Sequence, residues 1–166
     1  PTMIVLGMDP GTARVGFALV QREGSALCAL DYGLIGTSEA CLATRLRAIH
    51  EQTHELISRH RPDLMSLERL LFSVNKKTAL DVARSLGVIA LAAAQHDLPI
   101  FEYTPPEVKL AVVGYGGADK KQVQFMVTKL LRLTEIPTPD DVADALAIAL
   151  THALRGPSVA SIAARG

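Results

Sequence analysis

Asp9 and Glu68 each close a short apolar run, Met3–Met8 and Leu64–Leu67. Runs of this kind read as buried strands, and an acid at a strand's end stands at the rim of a sheet. If the two strands are parallel neighbours, their carboxylates lie about 5 Å apart. Asp141 and Asp144 are three residues apart in a helical pattern, which puts both on one face. Carboxylates gathered this closely repel and raise one another's pKa. A hard divalent cation compensates them, and Mg²⁺ and Mn²⁺ favour oxygen ligands. Two such ions about 4 Å apart would clamp the attacking and leaving oxygens of an in-line phosphoryl displacement. Taken singly, each acid has an ordinary reading. Asp after a strand is a common turn residue. Asp140 and Asp141 stand in a helix's first turn, where the macrodipole favours acids.

The elements that must position these acids follow from local pattern. Pro10-Gly11-Thr12 is turn chemistry after the first strand. Phe17–Gln21 and Leu27–Ile35 read as two further strands in an antiparallel meander. Ser38 can cap a helix over residues 40–60, whose apolar stripe is Leu42, Leu46, Ile49, Leu56 and Ile57. Residues 76–96 read as a buried helix, and Leu98–Tyr103 as another strand. Pro105-Pro106 opens a short helix that ends before Gly114, and Gly114–Gly117 is the most flexible segment by composition. Asp119 with Gln122 has the spacing of a capping box for a helix to Arg132. Thr138-Pro139 reads as an N-cap followed by Pro at the first helical position, opening a helix to Arg155. On a helical wheel Asp141, Asp144, Thr151 and His152 fall in one polar stripe. Residues 1–155 thus form one α/β domain with a mixed sheet and helices on both faces, and residues 156–166 an irregular tail.

The chain has 166 residues, with 17 basic and 17 acidic side chains and a formal net charge of zero. Taken whole, that balance argues against a generally basic nucleic-acid coat. It conceals an uneven distribution. Residues 1–68 carry six basic and eight acidic groups, residues 69–132 nine and five, and residues 133–166 two and four. A basic middle therefore lies between two mildly acidic ends. Cys28 and Cys41 match no metal motif and read as reduced core residues of a cytoplasmic protein. No apolar run is expected to reach transmembrane length, so no membrane partner is expected.

Together the acids and their local strings resemble one family. Gly7-Met8-Asp9-Pro10-Gly11-Thr12, Leu67-Glu68 and the stretch Asp141-Val142-Ala143-Asp144-Ala145-Leu146-Ala147-Ile148-Ala149 are similar to the RuvC Holliday junction endonucleases. So are Phe101-Glu102-Tyr103, Val108-Lys109, Val112-Val113-Gly114-Tyr115-Gly116 and Lys120-Lys121-Gln122-Val123-Gln124. The resemblance runs in order from Met3 to Arg155. It implies an RNase H-like fold with a five-stranded sheet, a homodimer, and metal-dependent nicking of two symmetric strands at a four-way DNA junction, in recombination and repair. It implies that Asp9, Glu68, Asp141 and Asp144 hold two divalent cations, Mg²⁺ or Mn²⁺, with Asp140 outside the set. Water attacking the scissile phosphate would leave a 5′-phosphate and a 3′-hydroxyl. A RuvA–RuvB branch-migration complex is the further partner it implies.

Phosphate contacts supply most sequence-independent affinity for DNA. Lys109 and Lys120 match basic positions beside the family's active site, where they would hold the phosphate and stabilise developing charge. Arg69, Lys76, Lys77 and Lys121 would be flanking backbone contacts. Phe72 is the candidate for stacking on a base at the junction centre, with a place in the core or a dimer interface as the competing reading. The family's usual aromatic falls three residues after the glutamate; here that position is Leu71, and Phe72 is one later.

Three other readings compete. His50-Glu51-Gln52-Thr53-His54 fits the H-E-x-x-H string of zinc peptidases. On a wheel both histidines flank the apolar stripe while Glu51 points away, and no third ligand follows. His96 and His152 have no evident partner and read as structural. Asp9-Pro10-Gly11-Thr12 also resembles the phosphate loop of the actin and sugar-kinase superfamily, which needs two similar halves where 166 residues provide one. The third reading, a non-catalytic junction-binding module, is at odds with a complete set of four acids.

Overall fold

A computed structural model describes residues 1–11, 13–69 and 76–165, and for Lys76 and Lys77 the backbone alone. Thr12, Leu71 and Phe72 lie outside the described residues, so the stacking assignment is not addressed. The chain runs β1 (Thr2–Pro10), β2 (Arg14–Glu23), β3 (Ala26–Gly36), α1 (Leu42–His60), β4 (Leu64–Glu68), α2 (Lys76–Gln95), β5 (Ile100–Tyr103), α3 (Pro105–Val113), α4 (Lys120–Leu130), α5 (Asp140–Arg155) and α6 (Val159–Ala163). The five strands form one mixed sheet in the order β3-β2-β1-β4-β5. The first three are the antiparallel meander; β4 joins β1 in parallel and β5 joins β4 in parallel.

The central strand β1 is buried on both faces, and alternation sorts its side chains. Met3 and Val5 face a core completed by α3, α4 and α5; Leu6 and Met8 face a second core completed by α1 and α2. Odd-numbered positions therefore point toward α5, and Asp9 continues that series past Gly7. The two glycines nearest Asp9 set how closely α5 can lie. A Cβ on Gly7 would collide with the Ala145 carbonyl oxygen and with Ala149, and one on Gly16 would collide with the Asp141 carbonyl. Gly16 is the register partner of Asp9. The Ser66 hydroxyl fastens the same helix to β4, donating to the Ile148 carbonyl at 2.8 Å.

Several sequence expectations are corrected. Residues 159–163 form α6, with Ser158 as its N-cap, where an irregular tail was expected. Cys28 and Cys41 are exposed: neither is a core residue. Cys41 rather than Ser38 precedes α1, without a side-chain cap bond. Pro139 is the N-cap of α5 rather than its first helical residue. Thr151 and His152 are buried, so the polar stripe of α5 runs into the core. It works because both residues find partners inside: Thr151 donates to the Ala147 carbonyl at 2.8 Å, and His152 Nδ1 meets the Tyr103 hydroxyl at 2.7 Å. His96 likewise has a partner, His54. Finally, Thr78–Gln95 of α2 is long and apolar enough to cross a membrane by composition, and of these residues only Ser85, Ile89, Ala92 and Ala93 are buried, so α2 is not the buried helix expected but packs one narrow face on the second core.

Gly7→Val should lift α5 off the sheet. Overpacking of this kind costs about 1–3 kcal/mol, so urea denaturation should show a lower midpoint than for the parent. An unchanged midpoint would mean that the helix does not depend on this contact.

Candidate active site

Three elements bring the acids together. The antiparallel β1–β2 pairing and the parallel β1–β4 pairing place Asp9 at the end of the central strand, with Met8 opposite Leu67 and Glu68 one residue further along β4. The first turns of α5 pass over that end of the sheet with Asp141 and Asp144 facing down. Oxygens of Asp9, Asp141 and Asp144 all lie within 4.8 Å of one another. Glu68 stands outside that set of three, beside Asp144, whose charge acts on it.

The cluster is electrostatically unfavourable by itself. Burial, then repulsion from Asp144, Glu68 and Asp141, pushes Asp9 up to about 8. Burial is also the main cause raising Asp144, and burial with repulsion from Asp144 raises Glu68. Cations answer part of this. Arg14, the first residue of β2, places its Nε 2.7 Å from Asp141 Oδ2. Lys120 Nζ lies 3.0 Å from Asp140 Oδ2 and 3.6 Å from Asp144 Oδ2. The bond to Asp140 is the chief reason that the Lys120 pKa is raised, and Lys120 in turn holds Asp140 below the ordinary carboxylate range. An all-oxygen donor set, partly buried and repelling itself, fits hard divalent ions such as Mg²⁺ or Mn²⁺.

Beside the acids a pocket of ≈ 280 Å³ is lined by Glu68, Lys109, Lys120 and Asp144, with Val108 and Ile148 at its wall. Two capping boxes aim the lysines. Thr104 and Glu107 start α3, which carries Lys109; Asp119 and Gln122 start α4, which carries Lys120. Lys109 is close enough to lower the Glu68 pKa against its other influences. Asp9, Glu68, Asp141, Asp144, Lys109 and Lys120 thus converge on one place.

Two of the remaining basic candidates do not. Arg69 turns to Glu102, 3.7 Å away. Lys121 is exposed and lines a separate groove with Phe125 and Ile136. Lys76 and Lys77 begin α2, and their side chains are outside the described set. Sequence reasoning passed over Arg14 and gave Asp140 no role. Arg14 carried a readable signal: it opens the strand that pairs antiparallel with the Asp9 strand, so it returns to the same sheet end.

A sheet of this order, with acids at the ends of β1 and β4 and on the helix crossing them, defines an RNase H-like nuclease. The comparisons narrow that class. Residues 5–152 match the family model described as "Crossover junction endodeoxyribonuclease RuvC". A protein of that name from Brevibacillus brevis is 53% identical over 152 residues, covering 91% of this chain and 92% of its own. One from Alkaliphilus oremlandii is 50% identical over 156 residues, covering 93% and 94%. The Thermus thermophilus RuvC in complex with a Holliday junction substrate superposes with a TM-score of 0.86 at 36% identity, over 92% of this chain and 93% of that one. The yeast mitochondrial Holliday junction resolvase, 14% identical with a TM-score of 0.68 over 92% and 80%, shares the fold. The chain belongs to the RuvC family of crossover junction endodeoxyribonucleases.

The raised acids make metal-free stability depend on pH. A carboxylate with a raised folded pKa contributes stability that is complete below its unfolded value, near 4, and is lost as pH rises through the folded value, for Asp9 about 8. Metal-free protein should therefore lose stability between pH 4 and 8, by up to about 1.4 kcal/mol per pH unit for each extra proton held. Asp9→Asn should flatten that slope, and so should saturating Mg²⁺. Thermal unfolding across pH, with EDTA and with Mg²⁺, checks both; identical slopes in all cases would refute the cluster's cost.

Proposed function

We propose that this chain resolves four-way DNA junctions by paired symmetric nicks, with Asp9, Glu68, Asp141 and Asp144 holding two divalent cations, Mg²⁺ or Mn²⁺. The observation that carries this reading is the convergence of Asp9, Asp141 and Asp144 within 4.8 Å. When bound, the cations supply the positive charge that compensates these acids and polarises the phosphate.

The chain's own side chains do the positioning. Lys109 and Lys120 flank the pocket next to the acids and receive the scissile phosphate. Lys120 is held by Asp140, outside the trio, so it stays at the rim when the inner acids turn to cations. Arg14 fixes the Asp141 carboxylate at the opposite side. Cleavage is hydrolysis: the oxygen of water bonds to phosphorus, the bond from phosphorus to O3′ breaks, and a proton ends on the departing 3′-oxygen. Ligatable 5′-phosphate and 3′-hydroxyl ends result. Arg69, Lys76, Lys77 and Lys121 are assigned to flanking phosphates, and Phe72 to base stacking at the centre of the junction.

Paired nicks need two active sites, hence a homodimer. Along α2 the residues Leu80, Ala83, Arg84, Gly87, Leu91 and Ala94 are exposed at helical spacing. Small residues framed by two leucines permit close helix approach, and this face is assigned to the second copy. A RuvA–RuvB complex as partner follows from the family resemblance, and a cytoplasmic setting from Cys28 and Cys41 as free thiols.

A synthetic four-way junction and a matched linear duplex, incubated with each metal and resolved on a denaturing gel, test the activity. The parent should nick the junction selectively. Asp9→Asn should bind the junction and leave it intact, losing about 3 kcal/mol or more of transition-state stabilisation, a hundredfold in rate. Lys109→Ala and Lys120→Ala should slow cleavage far more than they lower the unfolding temperature; unchanged rates would demote both to surface charge. Junction binding by the parent without cleavage in either metal would make the chain a binding module instead. For the dimer, Leu80→Asp with Leu91→Asp should halve the mass seen in sedimentation; a parent that sediments as a monomer would refute the assignment.

A further inference from the structure

The H-E-x-x-H string of α1 takes no part in the nuclease site, and the fold brings it a partner that its sequence did not reveal. His54 Nδ1 lies 2.8 Å from Nε2 of His96, the residue that follows α2. The ring centroids are 4.4 Å apart and the planes are inclined by 46°. One turn earlier on α1, His50 Nε2 lies 2.9 Å from Oε1 of Gln95, the neighbour of His96. Two imidazoles thus meet where α1 passes the end of α2, with His50 held one turn away by Gln95.

We propose that His54 and His96 form a two-histidine site for a borderline divalent ion, Zn²⁺, which clips α1 to the end of α2. The contact between the rings is made through one shared proton, and a metal ion takes that proton's place. Zn²⁺ binds imidazole nitrogen at about 2.0–2.1 Å in tetrahedral geometry, which separates two ligand nitrogens by about 3.4 Å. Small side-chain rotations supply the difference, since His54 is exposed and His96 half-buried. Water completes the coordination.

The backbone that holds the ligands is fixed. Thr53, next to His54, is fully buried, and Ala92 and Ala93 of α2 are buried in the same core. Beyond α2, His96 N–H donates to Ala93 O, and Leu98 N–H donates to the same carbonyl at 2.9 Å. The C-terminal end of α2 also places the negative end of its dipole at the site, which favours a cation. Ligand chemistry separates this site from the nuclease centre: imidazole suits Zn²⁺, whereas the carboxylates suit Mg²⁺ or Mn²⁺. It is no peptidase centre, because Glu51 is exposed and directed at Arg47.

The test is a calorimetric titration with Zn²⁺ in millimolar Mg²⁺, which keeps the carboxylates occupied. The protein carries Cys28→Ser and Cys41→Ser, so that exposed thiols do not compete. The parent should bind one Zn²⁺ per chain, and Zn²⁺ should raise its unfolding temperature. His54→Ala and His96→Ala should each lose that binding, by more than the roughly tenfold that a lost supporting contact costs. Both should keep the parent's circular dichroism and its Mg²⁺-dependent junction cleavage. Failure of the parent to bind Zn²⁺ would overturn the site. So would binding at parental affinity in either variant, because the bridge needs both helices.

Discussion

The seating of α5 on the sheet governs the rest of the molecule. Gly7 and Gly16 leave no side chain between the helix and strands β1 and β2, so its first turns come down onto the strand end that carries Asp9. The helix is almost wholly buried as a result, and its two inward polar groups, Thr151 and His152, are satisfied internally. Close packing of this kind transmits small volume changes. The geometry of the acids is therefore a consequence of the core rather than of loops. Glu68 is tied to the same frame, because Ser66 on its strand is bonded to α5.

That seating imposes an electrostatic cost. Asp9 carries a pKa near 8 because it is buried among other acids. Arg14 and Lys120 compensate part of the charge from the rim, leaving a centre that favours added cations. The formal charge of zero takes a different meaning in this light. On the proposed reading two divalent ions add four positive charges, and the loaded protein becomes basic where the DNA backbone is cut. Net charge describes the whole chain, but a phosphate responds to the field within about a Debye length, roughly 8–10 Å.

The two sides of the sheet have separate work. One carries α3, α4 and α5 with the acids and lysines; the other carries α1 and α2 with their exposed apolar stripe and the histidine pair. The proposed dimer face and zinc clip fall on the second side, away from the α5 face of Asp9. A change made there can alter assembly or stability while the acid cluster stays intact.

Much of this was legible in the residues. The apolar runs ending in Asp9 and Glu68, the three-residue spacing of Asp141 and Asp144, and the capping box at Asp119 are local patterns. Strand alternation, helix periodicity and cap chemistry operate over a few residues, so the order of elements through α5 could be read directly. The family resemblance then placed the lysines. What escaped depended on contacts between distant segments. Arg14 meets Asp141 across 127 residues, and His54 meets His96 across 42. The burial of Thr151 and His152 was hidden because a helical wheel shows which residues share a face and cannot show what lies against it. The chain's local chemistry specifies its elements and its acids. Their convergence, and the cations that answer them, arise when the close fit of α5 on two glycines brings those elements within reach of one another.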